Sequence, residues 1–181
     1  GDWSSDVCSS DLVRRPVLWS GPNTITAGEI ELNVKIGAKI ANFTAEGTDG
    51  PFSLSAALGT KVVLYFYPKD NTPGCTSEAG DFRDLHDQFT QAGAIVLGVS
   101  RDSLRSHAGF RAKLELPFHL LSDPDESLCE AFGVMKMKNM YGKQVRGIER
   151  STFLIDAKAC LVQEWRGVKV AQHAAEVLEA V

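Results

Sequence analysis

Cys75 is the residue in this chain whose type and setting most clearly suggest chemistry. It follows a Thr-Pro-Gly turn in the stretch DNTPGCTSEAGDF and comes at the start of a predicted helix. A thiol in the first turn of a helix faces free backbone N–H groups and the positive end of the helix dipole. Both favour the nucleophilic thiolate. The turn Pro73-Gly74 would let backbone amides approach a substrate, and Thr72 could present a hydroxyl over the sulfur.

Two observations oppose this interpretation. Most cysteines in domains of this kind are small buried apolar groups with no special reactivity. In addition, acidic residues come early in the same predicted helix, at Glu78, Asp81 and Asp84, and negative charges nearby disfavour a thiolate. A reactive Cys75 would therefore need a cation supplied from elsewhere in the fold.

The other cysteines and the histidines form no motif typical of a metal site or a dithiol. Cys75-Thr76-Ser77-Glu78 lacks the second thiol of a CxxC pair, which argues against a thioredoxin-like disulfide reductase. The four histidines are scattered, so we expect surface or capping roles and no metal. The stretches GxxxxGK and GxGxxG are absent from the sequence, so no nucleotide and no other cofactor is expected. The other cysteines of the chain are Cys8, Cys129 and Cys160, and its histidines are His86, His107, His119 and His173.

The elements that would position Cys75 alternate between strands and helices. Lys61 to Tyr67 is a short apolar run ended by Pro68, which predicts a buried strand. Apolar residues then recur at helical spacing up to a stop at Gly93. Further predicted elements are a strand at 94–100, a helix at 103–114, a strand in FHLLSD, a helix in DESLCEAFGV, a hairpin of STFLID and LVQEW, and a helix at 170–181. This order predicts an α/β fold with a mixed central sheet. Ligand sites in open sheets lie at the carboxyl ends of strands, where Cys75 falls.

The whole chain sets limits on domain number, partners and location. Its 181 residues, 44% of them apolar, fit one domain, which we place at 32–181. Residues 1–31 are expected to be a disordered or non-native lead-in. The Ser-Ser-Asp repeat within residues 1–12 fits no element and resembles a translated sequencing adapter, and residues 13–31 carry two prolines and a glycine close together. The formal charge of −4 without a basic run argues against nucleic acid. With no long apolar run and no leader, we expect a cytoplasmic protein without a membrane partner.

The segment Pro68 to Cys75 fits the pattern P-x-x-x-T-x-x-C, which resembles the active-site motif of peroxiredoxins. The longer stretch YFYPKDNTPGCTSEAGDFRD is similar to the peroxiredoxin Q branch, also called bacterioferritin comigratory protein. The similarity continues through LGVSRDS, LLSDPDESLCEAFGV, YGK and GIERSTFLID, and covers roughly residues 36–181.

This resemblance implies a thioredoxin-like fold and a peroxidatic role for Cys75. Pro68 and Thr72 match the other two motif positions, and Arg150 matches the arginine that relatives bring beside the sulfur. An arginine before a strand would otherwise be taken for a surface charge, so its role is implied by the resemblance alone. Glu78 is expected to position Arg150, with a solvated helix charge as the alternative.

The resemblance also implies a thiol-dependent peroxidase for antioxidant defence, which reduces hydrogen peroxide and organic hydroperoxides through a sulfenic acid. Many relatives carry a second cysteine five residues after the first or on the following helix. This chain has Gly80 at the first place and no cysteine at 103–114. Cys129 is expected to pack in the core and Cys160 to be an exposed thiol in a hairpin turn.

We therefore expect a one-cysteine enzyme, monomeric or weakly dimeric, recycled by thioredoxin, glutaredoxin or glutathione. The alternative function is a peroxide-sensing relay without efficient turnover.

Overall fold

The computed structural model describes residues 34–181. The predicted lead-in at 1–31 and the boundary at residue 32 lie outside these residues. Within them the strands are β1 Thr44–Gly47, β2 Phe52–Ser53, β3 Lys61–Phe66, β4 Ala94–Ser100, β5 His119–Ser122, β6 Met135–Met140, β7 Lys143–Ile148, β8 Ser151–Ile155 and β9 Leu161–Arg166. The α-helices are α1 Pro73–Asp84, α2 His86–Gln91, α3 Leu104–Leu114, α4 Ser127–Ala131 and α5 His173–Ala180, and a 3-10 helix spans Leu54–Ala57.

Seven strands form one mixed sheet in the order β2-β1-β5-β4-β3-β8-β9. The apolar strands β3, β4 and β5 run parallel, and β8 pairs with β3 in the antiparallel direction. Strands with continuous apolar runs are typical of sheets that are buried on both faces. Strands β3 and β4 are of this kind, because nearly all their residues are buried. The predicted α/β fold with a mixed central sheet is confirmed, and it is thioredoxin-like.

Two buried clusters lie on opposite faces of this sheet. Successive side chains of a strand point to opposite faces, and neighbours in β3 divide accordingly. Leu64 belongs to one cluster together with Cys129 of α4. Tyr65 belongs to the other cluster together with Cys75 of α1. The two cysteines are therefore on opposite sides of the sheet.

A glycine in β4 allows the sheet to support α1 closely. Gly98 pairs with Tyr65 across the β3–β4 ladder, and a Cβ at this position would lie 2.9 Å from both the Tyr65 ring and the Leu120 side chain. Without that Cβ, the Tyr65 ring has room to stack on Phe82 of α1, at 4.6 Å between ring centroids. This contact fixes the helix that carries Cys75 against the middle of the sheet.

The structure differs from the sequence prediction in several elements, and the short strands β1 and β2 and the 3-10 helix after them were not predicted. The single helix expected up to Gly93 is divided at Leu85, where the Leu85 carbonyl accepts from Gln88 in a tighter three-residue turn. The hairpin β6–β7 was not predicted, because its strands are largely polar. Its two turn residues, Tyr141 and Gly142, have φ angles of 54° and 82°, as tight hairpin turns require.

Candidate active site

The start of α1 presents Cys75 to unpaired backbone donors. Thr72 is the N-cap residue, and Pro73 takes the first helical position, where its missing N–H costs nothing. The first hydrogen bond of the helix runs from the Thr76 amide to the Thr72 carbonyl, at 2.9 Å. The amides of Gly74 and Cys75 consequently have no acceptor inside the helix. The side chain of Cys75 is 1% exposed, so these donors lie in a poorly solvated place.

The cation that Cys75 needs is Arg150, which lies between β7 and β8. Its Nη2 atom lies 3.5 Å from the Cys75 sulfur, and its Nη1 atom donates to Glu78 Oε1 at 2.6 Å. Gly74 makes room for the guanidinium, because a Cβ there would lie 3.1 Å from Nη2. Burial lowers the pKa of Arg150, but the charges of Glu78 and Cys75 outweigh it and hold that pKa above its usual value.

Glu78 is a buried carboxyl whose main support is Arg150. The residue is 1% exposed, and its Oε2 atom has no hydrogen-bond partner among the residues that the structure describes. Burial raises the pKa of Glu78 to about 7, although Arg150 acts in the opposite direction. The ionised form of Glu78 therefore depends on its contact with Arg150.

Thr72 and Pro68 lie beside this group without joining its ion pair. The Thr72 hydroxyl donates to the Lys69 carbonyl at 3.0 Å, so its hydrogen points into its own turn while its lone pairs remain available. Pro68 is half-buried and follows β3, where the chain turns towards α1. The structure thus brings Cys75, Glu78 and Arg150 together, with Thr72 at the helix start.

A buried polar network holds the loop that leads to Cys75, and the sequence did not indicate it. Asp70 is 4% exposed and accepts hydrogen bonds from the hydroxyls of Tyr67 at 2.6 Å and Ser106 at 2.8 Å. His107 Nδ1 lies 2.8 Å from Asp70 Oδ2, and its Nε2 lies 2.9 Å from the Leu121 carbonyl. Both ring nitrogens lie within hydrogen-bond distance of oxygens, so the His107 ring joins Asp70 to the Leu121 carbonyl of β5.

This pair explains the charge state of Asp70. Burial alone would raise the pKa of Asp70, but the hydrogen bonds from His107, Tyr67 and Ser106 hold it below its usual value. The expectation of surface or capping histidines is wrong for His107, which has no exposed surface, and for His173, which is 3% exposed. Burial and then the charge of Arg150 lower the pKa of His173 to about 4.

Asp70, Asp102 and His107 could in principle contribute to a metal site, since one ligand atom of each lies within 4.8 Å of the others. These atoms are already engaged. Asp102 Oδ2 accepts from the Ser100 hydroxyl at 2.6 Å and from the Asp70 amide at 2.9 Å. A cation would have to displace these hydrogen bonds, so the group is better explained as an anchor for the loop.

Lys138 is a second cation near Cys75 that sequence analysis missed. It is half-buried on β6, and its ammonium group donates to the Ile148 carbonyl, two residues before Arg150. Burial and the charge of Arg150 lower the pKa of Lys138, while the charges of Cys75 and Glu149 act against this. No spacing in the sequence distinguishes Lys138 from the other lysines, because the hairpin alone brings it here.

The remaining described cysteines lie away from Cys75. Cys129 is a buried free thiol on the opposite face of the sheet, where burial and the charge of Asp123 raise its pKa well above the usual value. Cys160 was expected to be exposed, but it is 3% exposed, because the turn before β9 packs against the segment of Lys39 through a β-bridge.

Strand register places Cys160 at the far end of the sheet from Cys75. Phe66 pairs with Ser151 at the end of β3 that leads to Cys75, whereas Val62 pairs with Ile155 at the end near Cys160. The four residue steps between these pairs correspond to about 13 Å along the strand.

A thioredoxin-like sheet, with a cysteine in the first turn of the helix after a central strand and an arginine beside its sulfur, defines a thiol peroxidase of the peroxiredoxin class. The chain belongs to the AhpC/TSA family, which it matches over residues 36–164, and within it to the peroxiredoxin Bcp branch.

Curated relatives and solved structures agree on this branch. The chain is 49% identical to Peroxiredoxin Bcp of Bacillus subtilis over 83% of its own length and 96% of that protein, and 59% identical to Peroxiredoxin Bcp of Xanthomonas campestris over 71% and 81%. A cysteine-to-serine variant of Xylella fastidiosa PrxQ superposes with a TM-score of 0.78 at 47% identity, covering 82% of this chain and 95% of that one. A structure of the Xanthomonas campestris bacterioferritin comigratory protein, determined to study its alkyl peroxide reduction activity, gives a TM-score of 0.72 at 55% identity, over 76% and 88%.

No helix within residues 34–181 has both the length and the apolar character needed to cross a membrane.

Proposed function

We propose that the chain reduces hydrogen peroxide and organic hydroperoxides through Cys75 and is recycled by an external thiol. The observation that carries this proposal is the 3.5 Å contact between Arg150 Nη2 and the Cys75 sulfur at the start of α1. Support for organic substrates comes from the Xanthomonas campestris relative, which was studied for alkyl peroxide reduction.

In the first step the thiolate of Cys75 attacks the terminal peroxide oxygen. An S–O bond forms while the O–O bond breaks, and the leaving oxygen takes a proton to become water or an alcohol. The sulfur loses two electrons and becomes a sulfenic acid. A low thiol pKa alone gives modest reactivity, because nucleophilicity falls along with basicity. The surroundings must therefore stabilise the transition state.

Negative charge develops on the leaving oxygen as the O–O bond lengthens. The Arg150 guanidinium and the free amides of Gly74 and Cys75 are donors already fixed near that oxygen, and the Thr72 oxygen can orient the peroxide through its lone pairs. Donors held in place before the reaction bind the transition state better than the ground state. Glu78 is a positioning residue, since it acts through Arg150, and Pro68 shapes the turn.

Recycling is assigned to a thiol outside the chain. Cys129 lies on the other face of the sheet and Cys160 at its far end, while Gly80 occupies the place of the resolving cysteine found in many relatives. Two external thiols then reduce the sulfenic acid, giving the Cys75 thiol, one external disulfide and water. Thioredoxin, glutaredoxin and glutathione are the candidate reductants, and the proposed role is antioxidant defence in the cytoplasm.

The test is steady-state turnover of hydrogen peroxide and an alkyl hydroperoxide with dithiothreitol, thioredoxin or glutathione. We expect Cys75→Ser to abolish turnover with its fold intact by circular dichroism, and Cys129→Ser to keep it. An active Cys75→Ser protein would overturn the assignment. Mass spectrometry after one peroxide equivalent should show a sulfenic acid; a disulfide from Cys75 to Cys129 or Cys160 would contradict one-cysteine cycling.

A peroxide-sensing relay is the second candidate, because the burial of Cys75 restricts the access of reducing thiols. A relay would react once with peroxide and show little turnover with any of the three reductants. Steady-state turnover therefore separates the two functions.

A further inference from the structure

The hairpin β6–β7 has one face rich in lysine. Residues paired directly across an antiparallel ladder share a face, and alternate residues along a strand do too. Lys136 pairs with Gly147, Lys138 with Val145, and Met140 with Lys143. Lys136, Lys138, Lys143 and Val145 thus lie on one side, here called the lysine face. Residues 135–148 contain no aspartate or glutamate.

The opposite side of the hairpin is tied to the body of the domain. Arg146 points to that side and pairs with Glu126 at 3.0 Å and with Glu130 of α4. The hairpin forms a two-stranded sheet separate from the main sheet. On its lysine face, Lys136, Lys143 and the 42% exposed Val145 are open to solvent.

The lysine face also borders the reactive thiol. Lys138 donates to the Ile148 carbonyl, two residues before Arg150, which itself contacts the Cys75 sulfur. The charges of Arg150 and Cys75 both act on Lys138, as its pKa shows. Lys138 thus links the lysine face to the segment that carries Arg150 to the Cys75 sulfur.

We propose that the lysine face is the docking surface for an acidic protein that carries the reducing thiols, an inference that rests on the proposed function. The chain as a whole has a formal charge of −4, so this face is a local positive region on a negative molecule. Such a region steers an acidic partner to one place and raises its association rate. Val145, and the fully exposed Tyr141 at the tip, offer apolar contacts of the kind found in protein interfaces.

The docked partner completes the redox cycle in two balanced steps. One partner thiolate attacks the sulfenic sulfur of Cys75, an S–S bond forms, and the hydroxyl leaves as water after taking a proton. The second thiol of the partner then attacks the partner's first sulfur, which is bonded to Cys75 in this mixed disulfide. The new S–S bond forms within the partner, and the Cys75 thiolate is released. The partner is oxidised by two electrons to an internal disulfide.

The experiment compares two charge-reversed proteins. Lys136→Glu with Lys143→Glu alters the lysine face, whereas Lys113→Glu with Lys158→Glu makes the same charge change at exposed sites elsewhere. We measure kcat/KM with a thioredoxin of negative net charge, with dithiothreitol, and across ionic strength. The first pair should lower kcat/KM for thioredoxin about 10-fold at low salt, with the gap narrowing as salt rises. Dithiothreitol turnover and the peroxide step should stay unchanged, and the control pair should resemble wild type.

Several outcomes would overturn the docking surface. One is an equal loss of kcat/KM for thioredoxin in both double variants. Another is a loss of turnover with dithiothreitol as well. A third is a wild-type protein that glutathione recycles but thioredoxin does not. A fourth is self-association of the wild type that the first pair abolishes while thioredoxin kinetics stay the same, since a second copy would then occupy the face. Absence of dithiothreitol turnover in the wild type would instead overturn the peroxidase function itself.

Discussion

Glu78 controls Arg150 through its own ionisation. The ionised carboxylate holds the guanidinium at 2.6 Å, but burial raises the pKa of this carboxyl to about 7. Below that pH the carboxyl is protonated, and the attraction that orients Arg150 towards the sulfur weakens. Because burial raises the pKa of the folded form above the ordinary 4.5, the same group lowers folding stability as pH rises from about 4.5 to 7.

We expect the rate of the wild-type protein with peroxide to rise as pH increases through about 7, where Glu78 ionises. The Glu78→Gln variant should lack this rise. At pH 8 the variant should react about 10-fold more slowly, because Arg150 is no longer held by a charge. Stopped-flow rates from pH 5.5 to 9 check this. Asp84→Asn, an exposed acid on the same helix, serves as control and should keep the wild-type profile. A Glu78→Gln profile that matches wild type would show that the carboxyl does not tune the site.

At the scale of elements, α1 must open before any protein thiol can reach Cys75. Cys75 is 1% exposed, so a thiol on the surface of another protein has no access to its sulfur in this conformation. Gly80 lies in the middle of this helix, where glycine costs about 1 kcal/mol relative to alanine. A weak helix centre lowers the free energy of local opening.

Gly80→Ala should slow recycling without affecting the peroxide step. A Cβ at this position would lie 3.6 Å from Arg83 Nη2, an ordinary contact, so alanine fits. We expect the free energy of unfolding to rise by about 1 kcal/mol. Reduction by thioredoxin should slow about 5-fold. Urea denaturation and stopped-flow of each half-reaction measure these effects. Gly109→Ala in α3, where the added Cβ has no neighbour within 4 Å, should give similar stabilisation with normal recycling.

The elements that could be predicted are those whose sequences show an apolar pattern or a helix-like composition. The strand at 94–100 follows from an apolar run and the helix at 103–114 from its composition, and the structure adds that Ser103 caps this helix by accepting from the Ser106 amide at 3.2 Å. The β6–β7 hairpin has no such signal, because both its faces carry polar residues.

For the site, Cys75 followed from local sequence, and Arg150 from resemblance. Asp70–His107 could not be predicted, since the two residues are 37 positions apart and meet only through folding.

Across the whole molecule, the Asp70–His107 pair joins the loop before α1 to α3 and β5. Both side chains are buried, and removing one member of such a pair leaves the polar group of the other without its partner. The folded-state pKa of Asp70 lies below its usual value, so its contribution to stability is present above the ordinary range near 4 and is lost as pH falls.

Asp70→Asn should lower the free energy of unfolding by about 3 kcal/mol at pH 7, because His107 loses the buried carboxylate that it contacts at 2.8 Å. The difference from wild type should shrink as pH falls below about 4, because the carboxyl of the unfolded chain takes up a proton there and that of the folded protein does so only at lower pH. Urea denaturation at pH 7 and pH 3 measures both values. A variant equally weakened at both pH values would show that shape, and not charge, is what Asp70 supplies.

The separation of the cysteines by the sheet has a consequence for a cell under heavy oxidative load. Under the one-cysteine cycle proposed above, a sulfenic acid on Cys75 that neither Cys129 nor Cys160 can capture waits for an outside donor. If a second peroxide molecule arrives first, the sulfur advances to sulfinic acid, which ordinary thiols cannot restore. The abundance of that donor, relative to the flux of oxidant, then decides whether each molecule survives its next encounter.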